Sequence, residues 1–307
     1  MIVFAPLGQL DQNTVAVAKM PLCTLYLVSL RNTTPNPILA FISTLKSANV
    51  SPLVVSRVIR WVILPSKLSA ENLLAQDIQW DLLLILPGTD ALNTEVRKLV
   101  QHQWSVTAGI PSRLLQDFST KNEKLLHPEK STVPVVQVQS NEKTTDSSQS
   151  LELSSELDEW IKNFLNTGSK ASKGAVSMFN LLAFNPGMKE EYLKYGAAFA
   201  KSIGSKHGGN AKIVGNVTHM NGSATTKSDN SSVARNGEVG GGNEEWNEIA
   251  LAHYPSILHF RDMLVSEDYQ EVNKRHRVPS LRDTCILMTS EIAIEELLDE
   301  GKGGAKL

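Results

Sequence analysis

Asn180, His253 and Tyr254 are the positions where this sequence sets a reactive or orienting side chain inside an apolar frame. Asn180 interrupts the strand-like run AVSMFNLLAF at 175–184, and an amide there suits the orienting of a ligand carbonyl, because it both donates and accepts. His253 and Tyr254 end the run EWNEIALAHY just before Pro255. Neighbouring strand residues point to opposite faces, so their side chains part company at the strand end. Imidazole titrates near neutral pH, and a His or Tyr turned toward a phenolic or enolic substrate can act as a general base or a donor. The plainer alternatives are a bond to an adjacent strand for Asn180 and ordinary rim positions for His253 and Tyr254.

Aromatic residues supply the surroundings. Tyr192, Tyr195, Phe199 and Ile203 recur at the spacing of one helical face. They are expected to pack on a sheet, with a tyrosine hydroxyl reaching a pocket as the functional alternative. Trp246 and Phe260 read first as core and second as ligand contacts. No metal is expected: His253 and His259 are not at i, i+4, and no carboxylate motif joins them. GEVGGGN at 237–243 has neither a P-loop Lys-Ser/Thr nor a strand-to-helix GxGxxG context. No GxSxG motif or Cys–His pairing marks a nucleophile, and the expected cofactor is none.

The elements that must position these residues come in a repeated order. In the first half, strands are expected at 23–30, 53–64, 80–86 and 104–110. One helix opens at Pro37, and another covers 91–102 behind a cap at Thr89 or Asp90. In the second half, strands are expected at 175–184, 211–219, 246–254 and 285–290, with helices at 188–205 and 255–265. Both halves read β-α-β-β-α-β, and DLLLILPGTDALNTEVRKLV stands where EIALAHYPSILHFRDMLV stands in the second half. The expected organisation is a flexible extension at 1–19, a degenerate ferredoxin-like unit at 20–126 and a linker with a short helix at 127–174. A second ferredoxin-like unit follows at 175–290, with a disordered insertion at 221–243 and a tail at 291–307.

Composition narrows the field. A chain of 307 residues has room for two cores, and its 41% hydrophobic and 20% charged residues are ordinary for a globular protein. A net charge of −2 argues against a general nucleic-acid or anionic-membrane binder. Cys23 and Cys285 lie in apolar runs and make no disulfide framework, which fits a reducing compartment. No run approaches the roughly 20 apolar residues of a membrane helix, and MIVFAPLGQLDQN lacks a basic n-region. The expected location is cytoplasmic.

The segments FNLLAFNPGMKEEYLKYG, HGG and WNEIALAHYPSILHFRDMLVSEDYQ resemble the dimeric α/β barrel superfamily, most closely a group of domains of unknown function found in bacteria and fungi. The matching positions are Asn180, Tyr192, Tyr195-Gly196, Gly208-Gly209, Tyr254-Pro255-Ser256 and Tyr269-Gln270, within about 175–289. The first half matches in element order alone. The resemblance implies an α+β fold in which two ferredoxin-like βαββαβ units in one chain form an intrachain dimeric α/β barrel around a pocket. It also implies a basic residue, Arg275, near the pocket mouth; a solvated turn paired to nearby carboxylates is the alternative. Relatives in that superfamily include cofactor-free monooxygenases, polyketide-modifying enzymes, haem-dependent peroxidases and ligand sensors. The function expected on this basis is binding of a small apolar, aromatic or polyketide-like molecule. Catalysis would be that of a cofactor-independent monooxygenase, cyclase or isomerase; the alternatives are a non-catalytic carrier or sensor and a structural dimerisation scaffold. The expected assembly is a monomeric pseudodimer or a homodimer.

Overall fold

The computed structural model describes residues 20–74, 77–136, 144–225 and 245–303. The expected extension 1–19 and residues 226–243 of the expected disordered insertion 221–243 lie outside them, while 221–225 form a turn and a short strand paired to the one before it. The strands are β1 (Leu22–Leu30), β2 (Val54–Ile63), β3 (Leu82–Pro87), β4 (Val100–Gly109), β5 (Val176–Phe184), β6 (Asn210–Met220), β7 (Ser223–Ala224), β8 (Glu248–Tyr254) and β9 (Leu281–Ser290). All their pairings are antiparallel, in the order β4-β1-β3-β2-β9-β5-β8-β6-β7. Each set of four long strands runs fourth, first, third, second: β4-β1-β3-β2, then β9-β5-β8-β6.

β4 also pairs with β6, so the eight long strands close into a barrel. The two joints between the sets are β2 with β9, from Arg57↔Ser290 to Ile63↔Ile286, and β4 with β6, from Val106↔Met220 to Gly109↔Asn216. Both carry register shifts, and a bulge adds the twist and bend that closure requires. One shift lies between Val58 and Arg60, which removes the regular alternation that would set Arg57 and Arg60 on opposite faces. At the second joint a Cβ on Gly215 would stand 2.6 Å from the Gly109 carbonyl oxygen, so the seam tolerates no side chain there.

The barrel interior is lined mainly by large apolar side chains. Leu25, Leu27, Leu83, Ile85, Trp104 and Val106 meet Phe179, Leu181, Ile249, Leu251 and Leu287. Cys23 and Cys285 are buried among them, and burial pushes the Cys23 thiol up to about 11. Strands with both faces covered carry no polar alternation, which is why VSMFNLLAF is buried throughout.

Helices and short helical turns connect and cover the strands. They are α1 (Pro37–Ser47), α2 (Ala70–Leu73), α3 (Thr94–Lys98), α4 (Ser112–Leu115), α5 (Phe118–Leu126), α6 (Ser155–Asn166), α7 (Lys170–Lys173), α8 (Lys189–Ala198), α9 (Gly204–Lys206), α10 (Ile257–Val265), α11 (Glu267–Val272) and α12 (Ile292–Gly303). Phe41 and Ile42 of α1, Val96 of α3 and Ile294 of α12 cover Tyr26, Val28 and Leu84 of the first set. Residues of α6, α10 and α11 cover Val176, Met178 and Met288 of the second. No helix among the described residues is long and apolar enough to cross a membrane.

The fold differs from the sequence expectation at several ends. The helix expected at 91–102 is only α3, because the backbone from Val100 to His102 pairs with β1 instead. Its cap is Asn93, whose Oδ1 accepts from the Glu95 N–H at 2.8 Å, and not Thr89 or Asp90. β9 begins at Leu281, four residues before the expected start. In the segment read as a linker, Leu151 and Leu153 are buried with Leu157 and Ile161 of α6. Ser154 caps that helix by accepting from the Leu157 N–H at 3.2 Å.

Candidate functional site

β5 and β8 run side by side, with Asn180 opposite Ala250 and Leu182 opposite Glu248. Phe179, Leu181, Ile249 and Leu251 turn into the barrel. The alternate residues therefore face outward, toward α8 and the π-helical turn Phe199–Ile203 that continues it. Met178 and Asn180 of β5 and Glu248, Ala250, Ala252 and Tyr254 of β8 form the floor of a cleft of about 540 Å³. Tyr192, Tyr195, Gly196, Phe199 and Ala200 form its helical wall. The cleft exists because both surfaces are small at their centre: alanines on the sheet face a glycine and an alanine on the helix.

The wall is held at this distance by local sequence. Gly208 has φ +68°, and Gly209 begins the return into β6. A Cβ on Gly209 would lie 2.8 Å from Phe199 Cζ and 3.1 Å from Tyr254 Cε1, so only glycine lets the strand pass beneath that ring. The π turn widens the helix next to the cleft, a feature that recurs at functional sites.

Asn180, Glu248, Tyr192 and Tyr195 are polar side chains at the centre of the cleft. The Asn180 amide nitrogen donates to the Met178 carbonyl at 2.8 Å and sits 3.5 Å from the Ala250 carbonyl. What Asn180 offers a ligand is therefore its carbonyl oxygen, an acceptor suited to a hydroxyl and not to a ligand carbonyl. Glu248 is 8% exposed, and burial raises its pKa, with the charge of Lys189 pulling weakly the other way. Lys189 itself donates to Asn216 Oδ1 at 2.7 Å. Asn180 and Glu248 are diagonal cross-strand neighbours, which places their backbones roughly 7–8 Å apart, room for a ligand atom between them. Burial raises the Tyr192 phenol far above its ordinary value, despite the Arg277 guanidinium beside it. Its ring stands 5.0 Å from Phe184 and 5.4 Å from Tyr195. The Tyr195 hydroxyl lies 3.4 Å from that of Tyr269.

No protein-family model matches the sequence, and no curated protein matches it. Similar solved structures include a protein of unknown function from Rhodopseudomonas palustris, 20% identical, with a TM-score of 0.29 over 42% of this chain and 89% of that one. Another is a candidate monooxygenase from Lactobacillus acidophilus NCFM, 6% identical, with a TM-score of 0.35 over 88% of this chain and 93% of that one. Likeness at that level bears on neither chemistry nor ligand.

Of the residues singled out from sequence, the cleft brings together Asn180, Tyr192, Tyr195, Tyr254 and Phe260. Tyr254 contributes its ring, since its hydroxyl donates to Met263 Sδ at 3.1 Å, and Phe260 packs edge-on against it at 5.2 Å. His253 continues the opposite, inward face of β8 and is 1% exposed, at the barrel end near Leu125 and Lys212. Burial, with the charges of Lys212 and His259, holds its pKa down to about 3. Trp246 also faces the interior, where its Nε1 donates to Ser69 Oγ at 3.1 Å. Arg275 is exposed on the π turn Asn273–Arg277, whose end residues Asn273 and Arg277 are the buried ones. This cleft lies on the outer face of the barrel, and large apolar side chains line the interior, where the sequence reading expected a pocket.

His259 and His276 are engaged elsewhere: His259 with Ser256 Oγ and the Pro134 carbonyl, His276 with Glu191. Among the described residues no three His, Cys, Asp or Glu side chains gather in a metal-like group. The residue missed from sequence is Glu248. Its signal was the alternation Glu248, Ala250, Ala252, Tyr254 along one face of β8, a carboxyl followed by two small residues where a covered strand face ordinarily carries bulk.

Proposed function

We propose that this chain binds a small apolar or aromatic molecule between the sheet and α8, and that Glu248 exchanges a proton with it. The observation that carries the reading is a buried carboxyl with a raised pKa at one end of an alanine-floored cleft. Burial moves such a group toward the operating pH, where a general acid or base is most effective. Asn180 Oδ1 would accept from a phenolic or enolic hydroxyl, and the Tyr192 and Tyr195 rings would flank an aromatic body. The reaction class is proton transfer without a cofactor, as in an isomerase or cyclase, or the substrate activation of a cofactor-independent monooxygenase.

In the same proposal the architecture is two ferredoxin-like units, 20–126 and 175–290, joined edge to edge in one chain. The repeated strand order and the two matching joints support it. A non-catalytic carrier is the second reading. It is favoured by the tyrosine hydroxyls, which turn to Met263 and Tyr269 and not to the cleft.

The test is deuterium exchange from solvent into a panel of phenols and β-diketones, followed by NMR with wild type, Glu248→Gln and Ala252→Phe. Wild type should bind and speed carbon-bound exchange above the protein-free rate, Glu248→Gln should bind without speeding it, and Ala252→Phe should do neither. Exchange at the wild-type rate in Glu248→Gln sinks the proton-transfer role. Binding by wild type without faster exchange selects the carrier. Undiminished binding in Ala252→Phe removes the cleft from consideration.

A further inference from the structure

The cleft does not end at Ala211. Arg113, Leu114, Asn210 and Ala211 line both it and a second hollow of about 340 Å³, bounded by Phe118, Lys121, Asn122, Lys124 and Leu125 along α5 and by Lys212 of β6. The two hollows share these four lining residues and so adjoin each other at Leu114 and Ala211.

Their chemistry differs. The first is floored by alanines and walled by aromatic rings, with its carboxyl, Glu248, on the sheet. The charged residues lining the second are Arg113, Lys121, Lys124 and Lys212, all basic. Lys212 is buried and already neutralised by Glu291, with Asn122 Oδ1 at 2.9 Å, so it closes the floor. Lys121 is held by neutral acceptors, the carbonyls of Gln116 at 2.7 Å and Arg113 at 3.2 Å, which leave its charge uncompensated. Glu123, on the same helix, points to His127 at 3.9 Å. Arg113 stands where the hollows meet, and a guanidinium there presents a planar fork to an acidic group.

We infer that the ligand is an anionic amphiphile: an apolar or aromatic body in the first hollow, and an acidic group held by Arg113, Lys121 and Lys124 in the second. This rests on the cleft being a ligand site and adds the ligand's charge and its orientation. The acid lies toward α5, and the end that meets Glu248 and Asn180 is the uncharged one. That polarity also avoids bringing an anion against the Glu248 carboxyl, which like-charge repulsion would oppose.

The experiment measures binding of a naphthyl-butanoate and the matching naphthyl-butanol to the full chain by titration calorimetry. The acid should bind about tenfold more tightly than the alcohol at low salt, and the gap should narrow as salt is added. Arg113→Gln combined with Lys124→Gln should abolish the gap; both residues are exposed, so the change leaves the core untouched. Ala252→Phe should weaken both probes. Equal binding of acid and alcohol to wild type overturns the inference and leaves the cleft reading standing. Acid binding that Ala252→Phe does not weaken also overturns it, as a basic surface patch working alone. If neither probe binds, the cleft reading fails and this inference fails with it.

Discussion

Replacing His253 by Gln should flatten the acid limb of this protein's stability curve. His253 is 1% exposed, its Nδ1 meets no partner, and the Leu125 carbonyl is the one group that favours its protonation. Burial and then the charges of Lys212 and His259 lower its pKa to about 3. An unfolded histidine titrates near ~6.5, so on acidification the unfolded chain takes up the proton first. The stability that neutral His253 permits is therefore complete above roughly pH 6.5 and is lost as pH falls toward the folded value. At about pH 5 the deficit is about 2 kcal/mol, and near pH 3 it reaches about 4 kcal/mol. Glutamine does not titrate and keeps a donor for the Leu125 carbonyl. Urea unfolding of wild type and His253→Gln, compared at about pH 8 and about pH 5, should show their stability difference change by about 2 kcal/mol in favour of the variant. Other acid-sensitive groups, such as His259 and Asp283, are common to both proteins and cancel to first order. Parallel curves would refute the reasoning. His253 would then protonate freely in the folded protein.

Three further outcomes follow from buried charges. The Asp283 carboxylate accepts from Ser66 N and Oγ, Lys67 N and Leu68 N at 2.8–3.2 Å; burial pushes its pKa up, but these donors outweigh burial and hold it below the usual value. Asp283→Ala should cost about 2–3 kcal/mol in urea unfolding near neutral pH, a difference lost as pH falls below about 4 through the folded pKa. Lys212→Met leaves Glu291 as an uncompensated buried charge and should cost about 3–5 kcal/mol, with much of it recovered in the double variant carrying Glu291→Leu. Glu248 has a folded pKa above its unfolded one, so its wild-type contribution is most favourable at low pH and declines as pH rises from about 4.5. Glu248→Gln should match wild type in acid and become the more stable protein toward pH 8, as measured by thermal unfolding.

Much of the fold was legible because local pattern and tertiary demand agree there. Apolar β-branched and leucine-rich runs bounded by Pro and Gly announced the strands, and the stripe of Tyr192, Tyr195, Phe199 and Ile203 announced the helix on the outer face. Agreement failed where a partner strand decided the outcome. Val100 to His102 continues a helical pattern locally, but β1 offers its backbone a ladder, and the strand wins. Leu151 and Leu153 sit beside a polar, serine-rich stretch, yet a shared apolar surface with α6 buries them. The site divides the same way. Asn180 and the two tyrosines declared themselves as polar or aromatic departures from an apolar frame. Glu248 did not, because a glutamate at a strand's start is usually solvated, and only the covering helix α8 makes it a buried carboxyl.

By itself, then, the sequence determined the element order, the covered strands and the parting of His253 from Tyr254, since these depend on composition, turn residues and the two-residue period of a strand. Which face of the sheet stays hollow was decided by the tertiary structure alone. Barrel closure brings two sets of large side chains together on the inside, while two alanines on β8 meet a glycine and an alanine across from them on the outside. A cavity is a mismatch of volumes between residues distant in the chain, and no local pattern records it.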